Sequence, residues 1–226
     1  MDYKVMKKVL EANEFLAGDI RRLLAEKKTV MFNLISSPGS GKTTILEKTI
    51  PLLSSKYKIG IIEGDVETER DAQRLQRFDL PMVLINTHGA CHLDSETVLS
   101  ALQEMPLDDL DIIFVENVGN LVCPAEFDIG ENGKIAVLST PEGDDKPQKY
   151  PLLFRECKLV LLNKIDLLSV VNFSLSDFCE DLSTLNGSIP ILEMAATSGM
   201  GVDEWLQWIE QAVQEEREAW LQETNC

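Results

Sequence analysis

Residues 36–43 read Ser-Ser-Pro-Gly-Ser-Gly-Lys-Thr and follow a mostly apolar run, residues 30–35. A strand that feeds a glycine-rich turn and then a helix makes an anion cradle. Backbone N–H groups surround the phosphates, and the helix N-terminus adds partial positive charge. The phosphate-loop pattern is G-x-x-x-x-G-K-[ST]; Gly41, Lys42 and Thr43 match it, while Ser36 stands where the first glycine belongs. In such a loop Gly39, Ser40, Gly41 and Thr44 lie against the phosphates, Lys42 reaches the outer ones, and the Thr43 hydroxyl holds Mg²⁺. The motif implies a nucleotide and leaves the base open.

The base follows from Asn163-Lys164-Ile165-Asp166, which succeeds the apolar run 159–162. N-K-x-D at the end of a late strand resembles the guanine-specificity motif of GTPases. A carboxylate accepts two hydrogen bonds, from guanine N1–H and its 2-amino group, and adenine lacks that donor pair. A site built on such a pair rejects the wrong base strongly, so GTP is expected over ATP. The same residues argue against a small-molecule kinase using ATP. Asp65, after the run 58–62, and Glu116, after the run 112–115, are candidates to bind Mg²⁺ and to position an attacking water, with their roles open to exchange. No glutamine stands in a water-orienting position after either acid, and no arginine finger is evident in cis. Turnover is expected to be slow, or to depend on a partner or second subunit.

Cys91 and His92 are adjacent beyond the run 82–85, and Cys123 lies shortly beyond Glu116. Thiolate and imidazole suit Zn²⁺ and Ni²⁺, but three ligands leave a four-coordinate site incomplete. A symmetric dimer completes such a site by sharing ligands across its two-fold axis. On these residues alone, metal binding and an incidental Cys-His pair both stand. His88 reads as a plain loop residue, and Cys157, Cys179 and Cys226 as ordinary thiols.

These residues need strand ends to converge. Near-continuous apolar runs at 30–35, 58–62, 82–85, 112–115, 134–138, 159–162 and 190–192 predict strands. Helices are predicted over 3–27, 43–53, 67–78, 95–104, 146–156, 174–185 and 202–221. The alternation predicts an α/β fold with a mostly parallel sheet and helices on both faces. One domain over 1–226 is the economical reading, with 1–28 as an N-terminal helical extension. A net charge of −17 repels phosphodiester backbones, which argues against nucleic acid as a partner. No apolar run approaches the ~20 residues that span a bilayer. The first 14 residues lack the apolar core of a signal peptide, so a cytoplasmic location is expected. The odd count of five cysteines argues against a disulfide framework.

Taken in order and spacing, residues 36–43, Glu63-Gly-Asp65, Cys91-His92-Leu-Asp94, Glu116 through Cys123-Pro124, Glu142 through Pro151 and Asn163 through Asp166 resemble the HypB family. Its members are GTPases that insert nickel during [NiFe]-hydrogenase maturation. The resemblance runs over nearly the whole chain and implies a P-loop NTPase fold that binds GTP and GDP with Mg²⁺. It implies Ni²⁺ (or Zn²⁺) on Cys91, His92 and Cys123 at the interface of a GTP-promoted homodimer. A HypA-type nickel chaperone and a hydrogenase large-subunit precursor are the implied partners, and a lysine among 146–149 is implied near the nucleotide, from the opposite subunit. The chain also departs from some members: no cysteine precedes Cys91 and only two histidines exist, so a nickel-storage segment is not expected. Where relatives often read Ser-Ala-Lys, this chain has Ala195-Ala196-Thr197, with Ala196 expected near the base. The nearest alternative is the urease nickel-insertion GTPase, which typically carries Cys-Pro-His rather than adjacent Cys91 and His92. A metal-storage or scaffold protein with vestigial nucleotide binding is a further alternative, disfavoured by intact Lys42, Thr43 and Asp65.

Overall fold

The computed structural model describes residues 3–65 and 70–224, with side chains described over 9–64 and 73–222. Seven strands form one sheet: β1 (Val30–Ser36), β2 (Ile59–Asp65), β3 (Met82–Asn86), β4 (Ile112–Glu116), β5 (Gly133–Ser139), β6 (Cys157–Asn163) and β7 (Ile191–Glu193). Their order is β3-β2-β4-β1-β5-β6-β7 and every pairing is parallel. Parallel strands need helical crossovers, and these cover both faces. The helices are α1 (Tyr3–Lys27), α2 (Lys42–Leu53), α3 (Arg70–Gln76), α4 (Ser95–Gln103), α5 (Cys123–Glu126), α6 (Lys146–Lys149), α7 (Pro151–Glu156), α8 (Leu175–Leu185) and α9 (Val202–Thr224).

All the predicted strands are present, and each runs past the end of the apolar run that announced it. Backbone pairing sets a strand's end, so β2 takes in Glu63, Gly64 and Asp65, and β6 reaches Asn163. The last strand starts at Ile191 rather than Pro190, whose ring nitrogen has no hydrogen to donate. The predicted helix 146–156 is two helices. Tyr150, at φ −128° and ψ 51°, leaves the helix, and Pro151 opens the next one. Of the predicted helix 67–78, residues 67–69 lie outside the described residues and α3 ends at Gln76. The single turn of α5 was not foreseen.

Side chains alternate across β1 and join three cores. Phe32 and Leu34 pack with Ile45, Ile50 and Trp205 beneath α2 and α9. Met31 packs with Ile20 and Leu24 of α1 and with Val98 and Leu102 of α4. Ile35 meets Phe154 of α7 and Phe178 and Leu182 of α8. Each fully buried Ile or Leu contributes about 1.5–3 kcal/mol, so burial outweighs any single polar contact in holding the layers together. One polar contact adds direction. Trp205 Nε1 donates to Thr49 Oγ1 at 2.9 Å, which clamps α9 against the helix that leaves the phosphate loop. Because all strands are parallel, the C-terminal ends of β1, β2, β4, β5 and β6 lie along one edge, where ligands of open α/β sheets bind. Among the described residues no helix is long and apolar enough to cross a membrane.

Candidate nucleotide and metal sites

The turn after β1 is held from both sides. Gly41 precedes α2 at φ 107°, a left-handed conformation that a side chain strains. A Cβ there would stand 2.4 Å from Asn163 Nδ2. That amide donates to Ser40 O at 2.9 Å, while Asn163 Oδ1 accepts from Ala196 N at 3.0 Å. Asn163 thus joins the phosphate loop to the segment 195–196. Lys164, at φ 60°, donates from Nζ to Gly39 O at 2.7 Å, and its own carbonyl accepts from Thr140 Oγ1 at 2.7 Å. Asp166 follows, exposed, in a one-turn 3₁₀ helix, its carboxylate without a partner among the described residues.

Lys42 is buried and its Nζ donates to Ser36 Oγ at 2.8 Å. The serine in the first glycine position therefore has a physical role, as the acceptor that parks the lysine. Thr43 Oγ1 donates to Glu116 Oε1 at 2.8 Å. Glu63 pairs in register with Glu116 across β2 and β4, and both are buried in the wall of a cleft of about 390 Å³ that includes Lys42, Thr43 and Arg74. Two buried carboxylates side by side repel, and a hard cation with oxygen ligands relieves that repulsion, so Glu116, Glu63 and Thr43 suit Mg²⁺. Asp65 ends β2, in register with Asn86, and its side chain lies outside the described residues. A larger cavity of about 550 Å³ opens at the opposite edge of the sheet, by Lys28, Asp111 and Trp220, and contains none of these residues.

Three residues at the phosphate loop and cleft were given no site role in the sequence reading. Glu142 Oε1 accepts from Ser40 Oγ at 2.7 Å and from the hydroxyl and N–H of Ser139 at 2.6 and 2.9 Å. It fastens the phosphate loop to the end of β5. The signal was present as a capping box, Ser139-x-x-Glu142. Arg74 donates to Thr44 Oγ1 at 3.0 Å and pairs with Glu47. Asn117, beside Glu116, also lines the cleft. Asn117 falls within the stretch from Glu116 to Cys123 that carries the family resemblance, whereas nothing in the local sequence distinguishes Arg74 from a surface residue.

Gly119 lets the segment after β4 press on the phosphate loop. A Cβ there would lie 2.9 Å from Pro38 Cγ and 3.1 Å from Pro38 Cα. The Gly119→Ala protein is expected to bind GDP about tenfold or more weakly, because a contact with backbone must open and displacements near 1 Å in such sites are costly. Titration calorimetry checks this; unaltered GDP affinity would show that the contact does not shape the loop.

Cys91, His92 and Cys123 converge, with their ligand atoms all within 4.8 Å of one another. The Cys91 thiol donates to Cys123 Sγ at 2.9 Å, and Cys91 Sγ lies 3.6 Å from His92 Nδ1. Asn120 Nδ2 donates to Cys91 O at 3.2 Å, tying the two loops. The His92 ring packs on Phe127 with centroids 3.9 Å apart. Burial pushes the His92 pKa below its ordinary value, against the pull of Asp94 and Glu126, which favours the neutral imidazole that ligates metals. The contact with Cys91 raises the Cys123 thiol, with burial and the Cys91 charge adding to it. A cation between the sulfurs reverses that logic, since a coordinated thiol is deprotonated. Lys149 pairs with Asp145, and Lys146 lies over the Tyr150 ring at 5.7 Å.

The other thiols differ in kind. Burial pushes Cys157 up to about 12, whereas Cys179 is exposed on α8. With such a pKa a thiol is ionised in about one molecule in 10⁴ at pH 8. Native protein treated with iodoacetamide at pH 8 is expected to carry label on Cys179 and none on Cys157. Peptide mass spectrometry checks this, and equal labelling would refute it.

A parallel sheet whose phosphate loop, acidic strand ends and N-K-x-D turn meet at one edge defines a P-loop nucleotide-binding protein. The family profile described as CobW/HypB/UreG, nucleotide-binding domain, matches residues 30–193. The hydrogenase maturation factor HypB of Escherichia coli K12 is 47% identical over 202 residues, which cover 89% of this chain and 70% of that protein. The crystal structure of hydrogenase maturation factor HypB from Archaeoglobus fulgidus superposes with a TM-score of 0.84 at 36% identity, covering 90% of this chain and all of the other. That of HypB from Helicobacter pylori in complex with nickel gives 0.85 at 34% identity, covering 91% and 97%. The chain belongs to the CobW/HypB/UreG family and, within it, to the HypB hydrogenase maturation factors.

Proposed function

We propose that this protein is a GTP-hydrolysing metallochaperone of [NiFe]-hydrogenase maturation, in which the nucleotide governs dimer assembly and nickel delivery. One observation carries the coupling: Glu116, bonded to Thr43 at the nucleotide cleft, and Cys123, in the metal cluster, end one short segment between β4 and α5. A change at the phosphates reaches the metal ligands through that segment.

In this reading the loop from Gly39 to Thr44 cradles the phosphates, and Lys42 leaves Ser36 for the outer ones. Thr43 and Glu116 hold Mg²⁺, joined by Glu63 of the neighbouring strand and by Asp65 at that strand's end. Asn163 and Lys164 support the loop, Ala196 lies by the base, and Asp166 reads guanine. Cys91, His92 and Cys123 carry Ni²⁺ (or Zn²⁺) as cargo. Three donors at the surface, next to half-exposed Val122, support completion of the site by a second copy of the chain. A ligand set shared in this way opens when the dimer separates, which suits delivery better than a closed site does. The HypA-type chaperone and the hydrogenase large-subunit precursor are the partners, and the cytoplasm the location. Turnover is slow, because Arg74 is engaged by Glu47 and Thr44 rather than free to reach the phosphates.

The test is the mass and metal content of the protein, loaded with nickel, in GDP and in a non-hydrolysable GTP analogue. Wild type is expected to dimerise with the analogue and to bind nickel differently in the two states. Cys123→Ala is expected to keep nucleotide binding and lose nickel by about 100-fold or more, since removing even a supporting group costs 10–100-fold. By linkage, nickel must change analogue affinity by the factor that the analogue changes nickel affinity. Equal nickel affinity in both states removes the coupling.

A further inference from the structure

Asn33 sits in β1 between Phe32 and Leu34 and is fully buried. A buried amide destabilises a fold unless it is hydrogen-bonded, and the partners of Asn33 lead in two directions. Its Nδ2 donates to Glu131 Oε1 at 3.3 Å, and its Oδ1 accepts from Asn117 Nδ2 at 3.1 Å. Asn117 Oδ1 accepts from the backbone N–H groups of Leu93 at 3.3 Å and Val118 at 2.9 Å. On the other side Glu131 Oε2 accepts from Ile129 N at 2.9 Å, and Lys134 lies 4.0 Å from Glu131 Oε1. Lys134 Nζ donates to Ala125 O at 2.9 Å.

This buried network ends at both halves of the metal cluster. Leu93 follows His92 in the chain, and Ala125 lies in α5, which Cys123 begins. Asn117 also lines the nucleotide cleft and follows Glu116, the partner of Thr43. Asn117 N is fixed to Leu34 O at 3.1 Å, so its backbone moves with the end of β4 and β1. In a low-dielectric interior a half-satisfied network is costly. If the nucleotide moves Glu116 and Asn117, the Leu93 N–H must follow its acceptor or lose it.

We propose that Asn117, held in place by Asn33 and Glu131, is the positioning residue that carries the state of the nucleotide cleft to the loop bearing Cys91 and His92. The inference rests on the coupling in the proposed function and names its route. Asn33 is the informative position to change, because it touches neither the cleft nor the metal cluster.

The experiment compares wild type with Asn33→Ser and Asn117→Ala. Nickel dissociation constants are measured by competition with a metallochromic chelator, in GDP and in a non-hydrolysable GTP analogue with Mg²⁺. Wild type is expected to differ between the two states by about fivefold or more, the lower end of allosteric coupling. Both variants are expected to fall below about twofold, with GDP affinity of Asn33→Ser retained. A wild-type ratio near one sinks the coupling reading and this inference with it. A wild-type ratio preserved in both variants overturns this inference alone, even if nickel affinity drops equally in both states, as a structural role would give. Should Asn33→Ser fail to fold, amide exchange at Leu93 in the wild type decides: protection that differs between the nucleotide states supports the route, and identical protection overturns it.

Discussion

Lys42→Ala lowers GTP turnover by about 10²–10³-fold, the range for removing one preorganised group that stabilises developing charge, and leaves the fold intact. The two halves of this expectation have separate causes. Lys42 is buried with its ammonium on the Ser36 hydroxyl, a neutral partner. Its removal therefore strands no opposite charge in the interior, which is the usual source of large losses at buried ion pairs. Helix α2 stays in place, because Ile45, Leu46 and Ile50 anchor it in the core and Trp205 holds Thr49. The loss falls on the reaction, where a cation beside the outer phosphates offsets charge that develops as the phosphoryl group transfers. Phosphate release at saturating GTP and the thermal midpoint with GDP measure the two halves. Undiminished turnover would mean that residues 36–43 are not the catalytic phosphate loop; a collapsed midpoint would mean that the Lys42–Ser36 contact is structural.

The loop was legible in sequence because its information is local. Gly41, Lys42 and Thr43 each answer to a backbone or phosphate requirement within a few residues. The strands were legible for the same reason, since a parallel sheet covered on both faces turns its strands into apolar runs. What the sequence hid is long-range. Asn33 is the one polar residue in the apolar run 30–35, and only the approach of residues 117 and 131 gives its amide a purpose. Ser36 looked like a defect in the motif until Lys42 was seen to use it. Cys91, His92 and Cys123 were each visible, but their convergence depends on two loops that Asn120 ties together. The break at Tyr150 was a local signal left unread: the proline at 151 disfavours helix at the residue before it.

Asp166→Ala removes the preference for guanine and leaves adenine nucleotides bound as before. Two hydrogen bonds to a carboxylate contribute about 1.5–3 kcal/mol each, so GDP affinity is expected to fall by about 100-fold or more. The structure separates this effect from general damage to the site. Asp166 is exposed in its 3₁₀ turn and supports no other group among the described residues, so its loss leaves the loop standing. Asn163, three residues earlier, does the opposite: its amide bridges Ser40 O and Ala196 N. Asn163→Ala is therefore expected to weaken GDP and ADP alike. Asp166→Asn sharpens the contrast, since an amide presents one donor and one acceptor, matching the 2-oxo group and N1–H of xanthine in place of guanine's paired donors. Competition of GDP, ADP and XDP for a fluorescent nucleotide gives all three comparisons. Discrimination by wild type, equal weakening of GDP and ADP by Asn163→Ala, and a shift toward XDP in Asp166→Asn assign base reading to one carboxylate and loop support to its neighbour. A GDP preference that survives Asp166→Ala would move base recognition to backbone groups of the 195–196 segment, whose alanines leave only the main chain to contribute.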